Sequence, residues 1–223
     1  DVPPTGTVDA ATWQVLHTLP EPCPGIDTRA VTFIAQAEIS SRTYYDQACA
    51  RPTWPGAESG ITIGIGYDLR FADAFQADWG KLLIAADITA LDPWCGKPGT
   101  PAAAAGLRAV VVPWNAAWTV FTGISLPFFV QQTRAAFPGF DALPPLCRGA
   151  LVSLVYNRGP SMDGPRRTDM RAIRDAVQAG NFPLVPGLLR AMKRLWPDSP
   201  GLQARREAEA GLFEQGLREA AVA

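Results

Sequence analysis

Histidine is almost missing: His17 is the only one in 223 residues. A His-ligated catalytic metal site needs two or three imidazoles, which this chain does not have. Ser–His or Cys–His nucleophilic catalysis would have to run through His17, in the N-terminal flank LHTLPEPCPG, and is set aside. Cysteine is sparse and scattered. Cys23, Cys49, Cys95 and Cys147 form no CxxC pair, which argues against a structural zinc site. Two disulfides in any of three connectivities and four buried thiols fit these positions equally well. No run of eighteen apolar residues occurs, so a membrane-spanning helix is not expected. The opening DVPPTG has no initiator Met, basic segment or apolar core of a signal peptide, and reads as the start of a fragment of a longer protein.

What is present is a chain able to bury a core. Hydrophobic residues make up 48% and charged residues 18%, the latter below the usual quarter. Gly and Pro together number 41, so many connections are turns. The net charge of −1 hides an asymmetry. Residues 1–147 carry 8 Lys/Arg against 13 Asp/Glu, residues 148–206 carry 11 against 4, and residues 207–223 carry 1 against 4. The basic stretch suits either an anionic polymer or solvated helix faces. It lacks interleaved aromatics, so nucleic acid is not the expected partner.

Periodicity predicts a mostly helical chain. A short helix with Trp13 and Leu16 on one face, capped by Asp9, precedes the breaker cluster PEPCPG at 20–25. Helices are expected at 28–41, opened by Asp27 or Thr28, then around 72–90, 101–110, 113–122, 127–137, 143–157, 168–179, 182–195 and 201–221. Only the segment around 60–70 reads as strand. The fold class is therefore α+β, predominantly helical, with one small sheet.

Two places carry candidate chemistry. In the helix at 28–41, Val31, Ile34, Ala35 and Glu38 fall on one stripe, putting a carboxylate among apolar neighbours. Such a group is either ion-paired, the commoner outcome, or raised in pKa as a general acid requires. In GITIGIGYD, residues 60–68, strand parity places Ile61, Ile63 and Ile65 on a core face. Thr62, Gly64 and Gly66 then form a bare opposite face on which a sugar ring could lie, and Asp68 follows on Thr62's parity. Glu38 as acid, Asp68 or Asp46 as base and Thr62 holding a water would make an inverting glycosidase. Asp68 as a turn cap and Asp46 as an exposed loop residue are the bland alternatives.

These residues carry a resemblance. E-ISSRTYYDQ…PTWPGAESGITIGIGYDL resembles the active-site hairpin of phage-type lysozymes, glycoside hydrolase family 24 and relatives, and WPG-x-x-SGITIGIGYDL is closest to their pesticin-type muramidase branch. ALVSLVYNRG (150–159) is similar to the helix carrying an Asn-x-Gly near the cleft, and GLQARREAEAGLF (201–213) to the terminal Arg-Arg-x-x-Glu helix. The three ordered motifs span about 28–217.

The resemblance implies a lysozyme-like fold, with a small hairpin lobe beside a helical lobe, over residues 26–223. It also implies hydrolysis of the β-1,4 bond between N-acetylmuramic acid and N-acetylglucosamine without metal or organic cofactor. Glu38 would be the general acid and Thr62 would orient the water. Asp68 matches the base in the pesticin branch and Asp46 in the phage branch. Asp68 is preferred because it needs no insertion. Gly64, Gly66, Tyr67, Trp54, Ser153 and Asn157 would line the substrate cleft, with Tyr156 at its flank or in the core. Arg205, Arg206, Glu207 and Glu209 read as structural. TGTVDAATWQVL is similar to the end of a peptidoglycan-binding repeat, making residues 1–25 its remnant and a linker. The implied partner is a peptidoglycan glycan strand, met outside the producing cell or in a target's periplasm. A monomer is expected, and an immunity protein if the chain is a toxin or effector rather than an endolysin. A lytic transglycosylase of similar fold, a non-catalytic wall binder and a nucleic-acid binder are the alternatives.

Overall fold

Asp27 opens the first described helix as expected, its carboxylate accepting the Arg29 amide at 2.8 Å. The computed structural model describes residues 22–222, and the short helix around Trp13 and Leu16, with Asp9 and His17, lies outside them. Helix α1, Thr28–Ile39, buries Ala30, Val31, Ile34, Ala35 and Ile39, and Ser40 at φ 56 ends it. A helical turn, Arg42–Tyr44, then runs into the π turn Tyr45–Cys49.

The GITIGIGYD segment departs from a continuous strand. Strands β1 (Thr62–Ile63) and β2 (Tyr67–Asp68) pair antiparallel, with Thr62 opposite Asp68 and Ile63 opposite Tyr67. Thr53 adds a bridge to Thr62 on the outer side. Gly64 and Gly66, at φ 59 and 74, make the turn, a conformation open to glycine and strained for other residues. Ile61, Ile63 and Ile65 are buried, as the parity suggested. The glycine face is not a pleated wall, because the chain reverses there.

Most remaining helices lie near their expected spans: α4 (Pro101–Gly106), α5 (Trp114–Val120), α6 (Leu126–Ala136), α7 (Pro145–Arg158), α8 (Thr168–Gln178) and α10 (Pro200–Ala220). The stretch 72–90 breaks into α2 (Phe75–Trp79) and α3 (Ala85–Leu91), with Gly80 closing the first. Near 182–195 the α-helix is confined to α9 (Val185–Ala191), flanked by 3-10 turns. The result is a predominantly helical α+β chain with a two-stranded sheet.

Helix α7 is the strut that positions the candidate site. Leu146, Cys147 and every residue from Gly149 to Val155 are buried, the all-round burial of a central helix. It packs against α1, α6 and α10. Gly149 admits α1 so closely that any side chain there would collide with the Ala30 methyl. On the other side a methyl on Gly216 of α10 would lie 2.7 Å from Cys147 Sγ. Three helices thus meet at glycine-sized contacts. Arg29, paired with Glu219 at 2.7 Å, ties α1 to the end of α10. Cys147 donates its thiol to the Phe213 carbonyl at 3.2 Å, and burial pushes that thiol up to about 12. Cys49, Cys95 and Cys147 carry free thiols, and the first and second of these are only half-buried. No helix among the described residues is long and apolar enough to cross a membrane.

Candidate active site

The three close helices bring together residues far apart in sequence. Glu38, one residue from the end of α1, accepts a hydrogen bond on Oε1 from Arg205 Nη1 of α10 at 2.8 Å. Its side chain is 25% exposed and that of Arg205 8%, so the acid is the more open member of the pair. The ion-pair alternative for Glu38 is the one observed. Arg205 also donates to the Ser153 hydroxyl and carbonyl of α7, each at 3.3 Å. Ser153 Oγ donates in turn to Glu209 Oε1 at 2.7 Å.

Arg206 and Glu209, both fully buried, pair at 2.8 Å, and Arg206 Nη2 also donates to Asn157 Oδ1 at 3.1 Å. The Trp196 ring lies 5.6 Å from the Arg206 guanidinium carbon and 4.7 Å from that of Arg158. Burial pushes the Glu209 carboxyl above its ordinary range, against the opposing pull of Arg206 and the Ser153 hydroxyl. Glu38, Ser153, Asn157, Arg205, Arg206 and Glu209 therefore form one connected network.

Glu38, Asn157 and Arg205 open on a groove of about 580 Å³, whose walls include Phe33, Gln36 and Leu202. Ser153, expected to line the substrate cleft with Asn157, is instead fully buried. It contacts Arg205 and Glu209 rather than the groove.

The hairpin residues sit elsewhere around Tyr156. Its hydroxyl donates to the Ile65 carbonyl at 3.1 Å, and its ring packs tilted at 44° against that of Phe129, with centroids 4.4 Å apart. Burial first, and then the negative charge of Glu38, push its phenol upward. A methyl on Gly66 would lie 3.0 Å from the Tyr156 hydroxyl. Gly64 faces Trp79 and Ala117 in the interior, not a substrate surface.

Asp68 opens on a second groove of about 380 Å³, together with Gly66, Tyr67, Phe71, Asp78 and Phe128. Its Oδ1 accepts the Arg70 amide at 2.9 Å, and both oxygens accept the Gly60 amide at 3.0 and 3.1 Å. Asp68 is thus the turn cap named as its alternative, holding the ends of the hairpin together. Tyr67 donates its hydroxyl to Asp78 at 2.6 Å, which fixes one wall of the groove.

Asp46 pairs with Arg42 at 3.0 Å and lies on a third groove of about 320 Å³ beside Trp114. Trp54 is half-buried, its indole donating to the Ser59 carbonyl at 3.2 Å, and Gly99 packs against its ring edge. Thr62 is half-buried and exchanges two backbone hydrogen bonds with Thr53. Among the described residues no three His, Cys, Asp or Glu side chains converge as a metal-ligand set.

No protein-family model matches the chain, and no curated protein matches it. Sequence reasoning missed two features of the site. It did not link Arg205 to Glu38, although the Arg-Arg-x-x-Glu spacing singled out the helix. It also did not single out Phe71 and Phe128, exposed at 70% and 54% on the walls of the Asp68 groove. An exposed aromatic gives no periodic signal.

Proposed function

We propose that the chain is a peptidoglycan hydrolase of lysozyme-like fold, a muramidase in which Glu38 is the general acid. The observation carrying this reading is the setting of Glu38, a part-exposed carboxylate that opens on a groove beside Asn157. Protonated Glu38 would give its proton to the glycosidic oxygen as the bond to the anomeric carbon breaks, releasing one sugar as an alcohol. Water then adds at the anomeric carbon, and its proton passes to a carboxylate. Asp68 suits that second role in capacity. A carboxylate offers about four acceptor sites, and three contacts are made here. Thr62 stands opposite it on the ladder, where cross-strand side chains are neighbours. In this reading the protein acts in the wall of a target bacterium, and an immunity protein would close the Glu38 groove if the chain is a toxin or effector rather than an endolysin.

A second reading rests on one specific feature. Glu38 and Asp68 open on different grooves, and the oxygens of Asp68 are already engaged by backbone amides. That favours one-acid chemistry, in which the sugar's own 6-hydroxyl replaces water and an anhydro product forms. Release of reducing ends from purified peptidoglycan tests the first reading. General-acid loss in Glu38→Gln is expected to slow release by about 10²–10⁴-fold. Undiminished release by Glu38→Gln would sink it. Asp68→Asn and Asp46→Asn, compared side by side, name the base. Indifference to both would favour the transglycosylase.

A further inference from the structure

Glu209 is the buried titratable group that the proposed chemistry leaves unused. Its Oε1 takes the Ser153 hydroxyl at 2.7 Å, Arg206 Nη2 at 2.8 Å and Arg205 Nε at 3.4 Å. Its Oε2 is buried with no partner among the described residues. The opposite edge of the same Arg205 guanidinium holds Glu38 at 2.8 Å. One cation therefore stands between two carboxylates, one facing the groove and one sealed inside.

From this geometry we infer that Glu209 is a positioning residue that divides Arg205 between itself and Glu38, and so sets the pH up to which Glu38 can act as an acid. The inference rests on the muramidase reading for its consequence, but the charge sharing itself does not. An ionised Glu209 draws on Arg205 and repels Glu38, and both effects favour keeping the proton on Glu38. Away from water such interactions are weakly screened, so a single buried charge has reach.

The surrounding groups are few. Arg205 and Arg206 face Glu209 from α10, and Ser153 faces it from α7. The charge of Glu38 acts on the Tyr156 phenol of α7, and Arg158 approaches Arg206 across Trp196. Asn157 holds the remaining side of Arg206. Burial alone would keep Glu209 neutral, and two arginines oppose it.

The test compares pH–activity profiles on soluble glycan strands for the parent protein, Glu209→Gln and Ser153→Ala. Glutamine keeps the shape and the acceptor for Ser153 and removes the charge. The alkaline limb is expected to move acidward by about one pH unit, roughly tenfold in activity at a pH on that limb. Plateau activity should be largely kept. Ser153→Ala withdraws a donor from Glu209 and should move the limb the same way by less, and it carries the test if Glu209→Gln does not fold. Limbs that stay in place while thermal stability falls would reduce Glu209 to a structural role and overturn the inference. An alkaline movement would overturn it too, since it would mean that Arg205 had released Glu38. If the parent protein cleaves no glycan, the muramidase reading fails. The inference is then decided by following the Glu38 side-chain carboxyl by carbon NMR across pH in the same variants.

Discussion

Replacing Gly64 with alanine tests how the hairpin is built. Gly64 sits at φ 59, and a methyl there would lie 3.0 Å from Trp79 Cη2 and 3.3 Å from Ala117 Cβ. Holding an L-residue in the left-handed region costs about 1–2 kcal/mol. Trp79 and Ala117 are both buried, so neither can swing into solvent. Forcing an extra carbon into such a core adds about 1–3 kcal/mol. The stiffer unfolded chain returns about 0.4–1 kcal/mol. The net loss is about 1–5 kcal/mol, a substantial part of the ~5–15 kcal/mol of an ordinary domain. Gly180→Ala is the matched control, with φ 70 and nothing within 4 Å of the added methyl, so only the backbone cost applies. Urea unfolding followed by tryptophan fluorescence reads both variants. Gly64→Ala should be the more destabilised by about the crowding term of 1–3 kcal/mol. Equal losses at the two positions would refute the interior placement of Gly64.

Arg206→Met leaves Glu209 with a buried charge and only Arg205 and Ser153 to meet it, and breaking a buried pair in this way costs about 3–5 kcal/mol. A urea midpoint unchanged from the parent would contradict the burial of that pair. Acid should weaken the fold over a defined window. Lys193 first and then Arg190 hold the Glu207 carboxyl at about 2, and Arg29 holds Glu219 at about 2, against 4.5 ordinarily. Carboxyls lowered in the folded state stabilise it above about pH 4.5, and that contribution fades as pH falls towards 2. Both groups are exposed, so salt should blunt the effect. Urea midpoints measured from pH 6 to pH 2 should fall less steeply in the Glu207→Gln, Glu219→Gln double variant, and superimposable slopes would remove these pairs from the account.

Local physics made the helices legible. Asp27 caps α1 and an apolar stripe defines it; in α7, a Pro at the first turn, an apolar run and a closing Gly159 mark both ends. The hairpin was legible as a location but not as a shape. Alternation in GITIGIGYD mimics a six-residue strand, while Gly64 and Gly66 spend their freedom on a reversal that no side-chain pattern records. The isoleucines were placed correctly because burial follows parity on either side of the turn. Site assembly was the least legible. Glu38 and Arg205 are 167 positions apart, and their meeting depends on α1 and α10 both docking on α7 at Gly149 and Gly216. Ser153 and Asn157 lie about one turn apart on α7, yet the serine is inside and the asparagine at the groove. The cap at Asp68 was open as an alternative in sequence, and the amides of Gly60 and Arg70 show it in the fold.

The most direct measurement of the central claim is mass spectrometry of the soluble fragments released from purified peptidoglycan in ¹⁸O-labelled water. The account predicts reducing-end muramic acid carrying the heavy oxygen, formed by the parent protein and lost in Glu38→Gln. Unlabelled anhydro-muramic ends would contradict hydrolysis and leave the one-acid reading. Fragments formed equally well by Glu38→Gln, or no fragments from the parent protein where a control lysozyme releases them, would contradict the assignment of Glu38 as the acid.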